Sequence, residues 1–307
     1  MSRLHEMAQE YLAIRRSLGF KLKGHDRMLS DFLDQLEASG STTITTAAAV
    51  FWATSRPELS SLRCSQRLSV VRGFTRYLSC LDPESEVPSS DMLPHRSERR
   101  TPYLYSQEEI TRLVEAAGAL GPELRGATYA TYLGLIAVTG MRMGEAIALD
   151  RDDVDLGAGT LTIRETKFKK HRRLPLHHST VAALDRYAAL RDRLCSRTIV
   201  PAFFVSMRGT RLLDVCVHGT FNKLLVAAGL DSKDGIHPRI HSLRHSFAVA
   251  TLSDWHRQGV DPAGQISVLA AYLGHGDPAY TYWYLQACPE LLGLAADRLE
   301  RWEGGCR

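Results

Sequence analysis

Apolar residues recur at three- and four-residue intervals over most of this chain, the spacing of helices that each bury one face. Over the first eighty residues it predicts helices around Leu4–Leu18, His25–Ser39, Thr46–Thr54 and Ser60–Leu81, separated by Gly24, Gly40 and Pro57. From Asp82 the pattern breaks into a polar stretch punctuated by Pro83, Pro88, Pro94 and Pro102 and carrying the basic run Arg96–Arg100. That break divides the chain into a helical bundle over residues 1–90, a linker over 91–102 and a second domain over 103–307.

The second domain opens on Ser106-Gln107-Glu108-Glu109, a capping box that should start a helix running from Gln107 to about Ala117. A further helix is expected from Glu123 to Val138, stopped by Gly140, with Arg142 beginning a short one. Thr160–Arg164 and Arg172–Leu176 alternate as strands of a hairpin. Helices then follow at Thr180–Leu194, Val215–Ala228, His241–Gln258 and Pro262–Tyr272, where Asp261-Pro262 reads as a cap and a first-turn proline. Glu290–Trp302 has the spacing of a terminal amphipathic helix, part of a tail over about 289–304. The fold class is therefore mainly α with a small antiparallel β-sheet.

Composition adds little to this. The 307 residues are 44% hydrophobic and 23% charged, with a formal net charge of +4, ordinary for a folded globular protein and permissive of nucleic-acid binding without demanding it. The charge is uneven: Arg164, Lys167, Lys169, Lys170, Arg172 and Arg173 crowd the hairpin around a single acid, Glu165, either as a solvated turn or as a phosphate-facing patch. Arg63, Arg67, Arg72 and Arg76 include i, i+4 pairs on one predicted helix, compatible with a positive stripe along a DNA backbone. The six cysteines are scattered with no C-x-x-C pair, and no stretch approaches the roughly 20 apolar residues of a membrane helix, so a reduced cytoplasmic location without membrane contact is expected.

Five separated features of the second domain make chemical sense together. A phosphodiester under attack gathers negative charge on its non-bridging oxygens, and the guanidiniums of Arg142 and Arg244 are suited to hold them. A tyrosine can attack and form a covalent protein–DNA link, with Tyr284 the candidate. At neutral pH, ionising a free phenol costs about 4 kcal/mol, so a proton acceptor helps; His241 can serve, while His275 can hydrogen-bond the phosphate. The leaving sugar oxygen needs a proton, which an ammonium on the hairpin can supply.

Thr139-Gly140-Met141-Arg142-Met143-Gly144-Glu145, His241-x-x-Arg244 at the start of a helix, and Leu273-Gly274-His275 followed by Tyr284 resemble, in order and spacing, the signature boxes of the tyrosine recombinase (phage integrase) family. The likeness runs from about Tyr103 to the C-terminus, with a weaker N-terminal match. It implies a catalytic set of Arg142, Lys167, His241, Arg244, His275 and Tyr284, with Glu145 orienting Arg142. It also implies a core DNA-binding domain that closes on the duplex with the catalytic domain, and a mechanism through a 3'-phosphotyrosine that needs neither cofactor nor metal. The expected partners are double-stranded DNA at two recombination sites, further copies in a tetramer tied by the C-terminal tail, and accessory DNA-bending proteins or sister recombinases. The Tyr-Trp-Tyr-Leu stretch and Pro289-Glu290-Leu291-Leu292 resemble integrases of transposons and other mobile elements.

Alternatives stay open at this level. Tyr282, and then Tyr280, compete with Tyr284, and Lys169 and Lys170 compete with Lys167. His237, His241 and His245 recur every four residues as metal ligands can, though no acid sits at the position a zinc-protease helix would use. Type IB topoisomerases use the same residue types to nick and reseal one strand, and a non-catalytic DNA-binding regulator could share the fold.

Overall fold

The structure, a computed structural model, describes residues 2–94, 101–164, 171–195, 200–233, 235–277, 279–287 and Gly293. The chain forms two compact units, Met1–Arg99 and Arg100–Arg307. Lys167, Lys169, Lys170, Arg96–Arg100 and nearly all of the predicted tail helix lie outside the described residues.

The first unit consists of α1 (Arg3–Ser17), α2 (His25–Ala38), α3 (Thr46–Thr54) and α4 (Ser61–Leu78). Ser2, Thr45 and Ser60 cap α1, α3 and α4 by accepting from the backbone N–H three residues on. Leu29, Phe32, Leu33, Trp52, Leu68, Val71 and Phe74 fill the shared core. The polar stretch after α4 does not swing free as its composition suggests. The Glu86 N–H donates to the Ile44 carbonyl (2.9 Å), its carboxylate accepts from the Thr46 N–H (2.7 Å), and Arg72 donates to the carbonyls of Pro88 and Ser89, both at 2.9 Å.

That last pair of bonds corrects the proposed arginine stripe. Arg72 is occupied with its own chain. Arg67 is only 7% exposed, stacked 3.8 Å over the Trp52 ring with a bond to the Trp52 carbonyl (2.9 Å). Arg63 and Arg76 alone remain as exposed cations of the four. A guanidinium can bury its plane against an indole while one Nη donates to a backbone carbonyl, an option that helical spacing does not reveal.

The second unit runs through α5 (Gln107–Gly118), α6 (Glu123–Thr139), α7 (Met143–Ala148), a 3-10 turn at Arg151–Asp153, the strands β1 (Val154–Asp155), β2 (Thr160–Ile163) and β3 (Arg172–Pro175), and then α8 (His178–Leu194), α9 (Asp214–Ala227), α10 (Ile240–Arg257), α11 (Pro262–Leu273) and α12 (Ala279–Ala287). The capping box forms as expected: Glu109 N–H donates to Ser106 Oγ at 3.2 Å and Ser106 N–H to Glu109 Oε2 at 2.9 Å. The strands pair antiparallel in the order β1-β2-β3, with Leu161 opposite Leu174 and Ile163 opposite Arg172. β1 escapes a pattern reading because two residues carry no alternation.

The main core gathers Tyr132, Leu133 and Ile136 of α6, Leu161 and Leu174 of the sheet, Leu184 and Tyr187 of α8, and Leu243 of α10. A smaller cluster joins Ala248 and Leu252 of α10, Ile266, Leu269 and Leu273 of α11, and Tyr284 of α12. α10 therefore belongs to both cores, with Arg244 and His245 between them. No helix among the described residues is long and apolar enough to cross a membrane.

Candidate active site

Two chain reversals bring the site together. α6 ends at Gly140, whose φ of +60° gives the left-handed C-cap that a side chain would resist, and Arg142 becomes the N-cap of α7. α11 ends at Gly274, φ +71°, and His275 leaves it directly. Both turns face the first two turns of α10.

Arg244 projects from α10 into this junction and is 1% exposed. Its Nη1 donates to the Gly140 carbonyl at 2.7 Å and its Nη2 to the Leu273 carbonyl at 2.8 Å. The buried cation thus rests on the C-terminal ends of two helices, where the helix dipoles are negative. No carboxylate among the described residues hydrogen-bonds to it. Burial, then the charge of Arg142, holds its pKa down to about 10, so it remains charged at neutral pH. A desolvated cation without a matching anion is strongly predisposed to receive one.

Arg142 lies beside it. Nη2 donates to the Gly274 carbonyl at 3.0 Å and Nη1 to Glu145 Oε1 at 2.8 Å, while the Arg142 backbone N–H meets Glu145 Oε2 at 2.9 Å. The two guanidiniums are thereby anchored on the consecutive carbonyls of Leu273 and Gly274. Glu145 also takes both terminal nitrogens of Arg172 from β3, at 3.1 and 2.7 Å. Burial raises the Glu145 carboxyl, but Arg172 and then Arg142 outweigh it and keep the group ionised. Of the basic hairpin residues, Arg172 is thus committed to Glu145 and Arg164 to Asp153, which takes two of the described arginines out of that patch.

His275 Nδ1 meets the Thr281 hydroxyl at 2.7 Å. When that hydroxyl donates, the ring carries its proton on Nε2, the form that can donate to a phosphate oxygen. Burial first, then Arg244 and Arg142, push its pKa down to about 3. His241, in the first turn of α10, is held below the ordinary imidazole value by desolvation and by the same two arginines.

Of the three tyrosines on α12, Tyr280 and Tyr282 are 51% and 47% exposed, whereas Tyr284 is 2% exposed and turned inward. Its ring lies 6.3 Å from that of His275 and 5.4 Å from that of His245. Its hydroxyl is 3.1 Å from His245 Nδ1. His241 is one turn earlier, its ring 4.7 Å from that of His245.

The structure thus gathers Arg142, Glu145, His241, Arg244, His275 and Tyr284 around one junction and adds two residues that sequence reasoning passed over, Arg172 and His245. For Arg172 the signal was present, in a basic residue opposite Ile163 on a strand facing the core. His245 was visible only as a possible metal ligand. Among the described residues no three His, Cys, Asp or Glu gather as a metal site. Chemically, the junction offers two fixed guanidiniums for an anion, a ring N–H donor, and a phenol facing a neutral imidazole.

The chain matches the phage integrase family over residues 104–290. A protein of Sinorhizobium fredii carrying the name of a candidate integrase/recombinase is 42% identical over 311 residues, spanning 99% of each chain. Tyrosine recombinase XerD of Mycobacterium leprae is 32% identical over 236 residues, covering 74% of this chain and 70% of that one. Among solved structures, XerH recombinase in a post-cleavage complex with palindromic difH substrate aligns with a TM-score of 0.68 at 19% identity, over 91% of this chain and 80% of that one. A lambda integrase dimer bound to a core site aligns at 0.62 and 18%, over 91% and 94%. At such identities the structural likeness speaks to the fold.

Proposed function

This chain belongs to the phage integrase family, and from that membership we propose that it is a tyrosine-type site-specific DNA recombinase that cuts and rejoins strands through a covalent 3'-phosphotyrosine. The observation that carries the chemistry is the pair Arg142 and Arg244, anchored on adjacent carbonyls beside an inward-facing tyrosine.

In this reading the two guanidiniums hold the non-bridging oxygens of the scissile phosphate, and they stabilise the charge that builds up in the transition state. His275 donates to the same phosphate, and an imidazole takes the phenol proton, the part expected of His241. The Tyr284 oxygen attacks phosphorus, the bond to the 5' oxygen breaks, and Lys167 of the hairpin delivers a proton to that leaving group. The freed 5'-hydroxyl then attacks the partner duplex. The covalent link retains the energy of the broken phosphodiester, so rejoining draws on no nucleotide hydrolysis. Glu145 fixes the angle of Arg142 and acts on substrate only through it.

Relatives named as recombinases and spanning most of the chain favour this reading over a type IB nicking-closing enzyme or a regulator. The partners are double-stranded DNA at two sites and further copies of the chain. Lambda integrase, similar in fold, has been solved as a tetramer on a Holliday junction. We infer that copies of this chain are tied together by the tail over about 289–304, whose deletion should weaken assembly on paired sites more than binding of one protomer. Equal loss of both would remove the tail from that role.

The direct test is a nicked suicide duplex carrying a binding site that the protein itself selects from a pool of random duplexes. Wild-type protein should form a covalent adduct with it, and Tyr284→Phe should form none while still retarding the duplex in a gel. Adduct formation that survives Tyr284→Phe would move the nucleophile to Tyr282 or Tyr280.

A further inference from the structure

His245 has no part in the chemistry above, yet its Nδ1 lies 3.1 Å from the nucleophile's hydroxyl. It lies one helical turn after His241 on α10, with its ring 5.6 Å from Trp283 and 5.4 Å from Tyr284 of α12. The charged or titratable groups facing it are His241 and Arg244 of its own helix, His275 from the turn after α11, and Tyr284. No carboxylate among the described residues hydrogen-bonds to it. Burial first, then His241, Arg244 and His275, hold its pKa down to about 3, so the imidazole is neutral at physiological pH. A neutral ring with its proton on Nε2 accepts at Nδ1, and the phenol O–H is the donor that faces it.

We propose that His245 is the base that takes the Tyr284 proton during strand cleavage, a role that rests on the recombinase reading. The proton passes from Oη to Nδ1 as the Oη–phosphorus bond forms. The phosphorus–O5' bond breaks, its electron pair leaves on O5', and that oxygen is protonated by the separate acid. In the free protein an imidazolium at this position would sit desolvated beside the Arg244 cation, so the phenol keeps its proton and remains inert. A phosphodiester seated between Arg142 and Arg244 brings a negative charge into the junction and offsets the field that opposes protonation of His245. The nucleophile is armed by the DNA it is to cut.

Two measurements test this. In free protein labelled with 15N-histidine, the His245 resonances should show a bare Nδ1, a protonated Nε2 and no titration between pH 8 and 5. An Nδ1–H ring, or one titrating near 6.5, would overturn the proposal without any DNA being present. The second uses the nicked suicide duplex and His245→Gln, which keeps an acceptor but cannot take a proton. The variant should retard the duplex as wild type does and form adduct on the order of 10²-fold to 10³-fold more slowly. Its rate should climb about tenfold per pH unit between 7 and 9, because hydroxide now removes the proton. A variant cutting within about threefold of wild type, with the wild-type pH dependence, would sink the role. So would that hydroxide dependence appearing in His241→Gln and not in His245→Gln. If wild type binds the duplex but forms no adduct, the recombinase reading itself falls and takes the role with it, a failure separate from a wrong tautomer in the free protein.

Discussion

Arg172 and Glu145 form a two-point ion pair, Nη1 to Oε1 at 3.1 Å and Nη2 to Oε2 at 2.7 Å, and the same carboxylate holds the guanidinium of Arg142. The aim of Arg142 therefore depends on a strand residue that lies 27 positions beyond Glu145 in sequence. Both partners are largely buried, and removing one member of a buried pair costs about 3 kcal/mol or more because the other is left uncompensated. Arg172→Gln should lower the urea midpoint accordingly and slow cleavage. Arg172→Lys should restore part of the stability but less of the rate, since an ammonium cannot span both carboxylate oxygens. A neutral methylphosphonate at the scissile position separates aim from folding. If Arg172 works through the clamp, the rate defect should shrink on that substrate, as it should for Arg142→Ala; an equal defect on both substrates would mean a role in folding alone.

Gly274 is under a double constraint. Its φ is +71°, and a Cβ there would stand 2.4 Å from Arg172 Nη1. Gly274→Ala must displace the guanidinium or the turn that carries His275 and the carbonyl holding Arg142. We expect a loss of about 1–3 kcal/mol together with slower cleavage. The clash and the lost ion pair share one side chain, so in a double-mutant cycle Gly274→Ala should add little to Arg172→Gln. Full additivity in urea melts would show that the glycine is required for its backbone alone.

The elements of this fold were legible because most of them are long helices with caps of ordinary chemistry. Ser106 with Glu109, Asp261 before Pro262 and Gly140 each mark a helix end where the structure has one. Family spacing pointed to Arg142, Arg244 and Tyr284, and the structure brings these three to one junction, with Tyr284 turned inward while Tyr280 and Tyr282 are exposed. What could not be read was which partner a polar group chooses. Arg67 prefers an indole, Arg72 two carbonyls, Arg172 a buried carboxylate, and the Tyr284 hydroxyl meets His245 where His241 was expected. Each choice depends on residues remote in sequence, and periodicity carries no record of them.

The two low imidazole pKa values make stability depend on pH in a stated direction. His245 and His275 sit at about 3 in the folded protein, against an unfolded value of about 6.5. Below about 6.5 the unfolded chain binds protons that the native state refuses, so stability present above that pH is lost on acidification. Each ring contributes up to about 1.4 kcal/mol per pH unit between 6.5 and 5. The urea midpoint should fall steadily across that window at constant ionic strength. His275→Gln should flatten the slope by about one proton, and a slope unchanged from wild type would mean that this ring titrates alike in both states.

On the N-terminal unit, the four arginines of α4 should divide into two classes. Arg67 stacks on Trp52, donates to its carbonyl and approaches Asp31 to 3.6 Å, so Arg67→Ala removes a buried cation–π contact and a charged hydrogen bond together. A loss of about 2–4 kcal/mol is expected, with little of it recovered by Lys. Arg63 and Arg76 are exposed, and their replacement by Ala should shift stability by no more than about 0.5 kcal/mol. If they contact DNA phosphates, each loss should reduce the slope of log affinity against log salt by about 0.9. Titrations of a duplex between 50 and 200 mM salt, at about the range where such slopes are resolved, check this directly. An unchanged slope in the double variant Arg63→Ala/Arg76→Ala would leave this helix as scaffold and turn the search for phosphate contacts to other faces of the bundle.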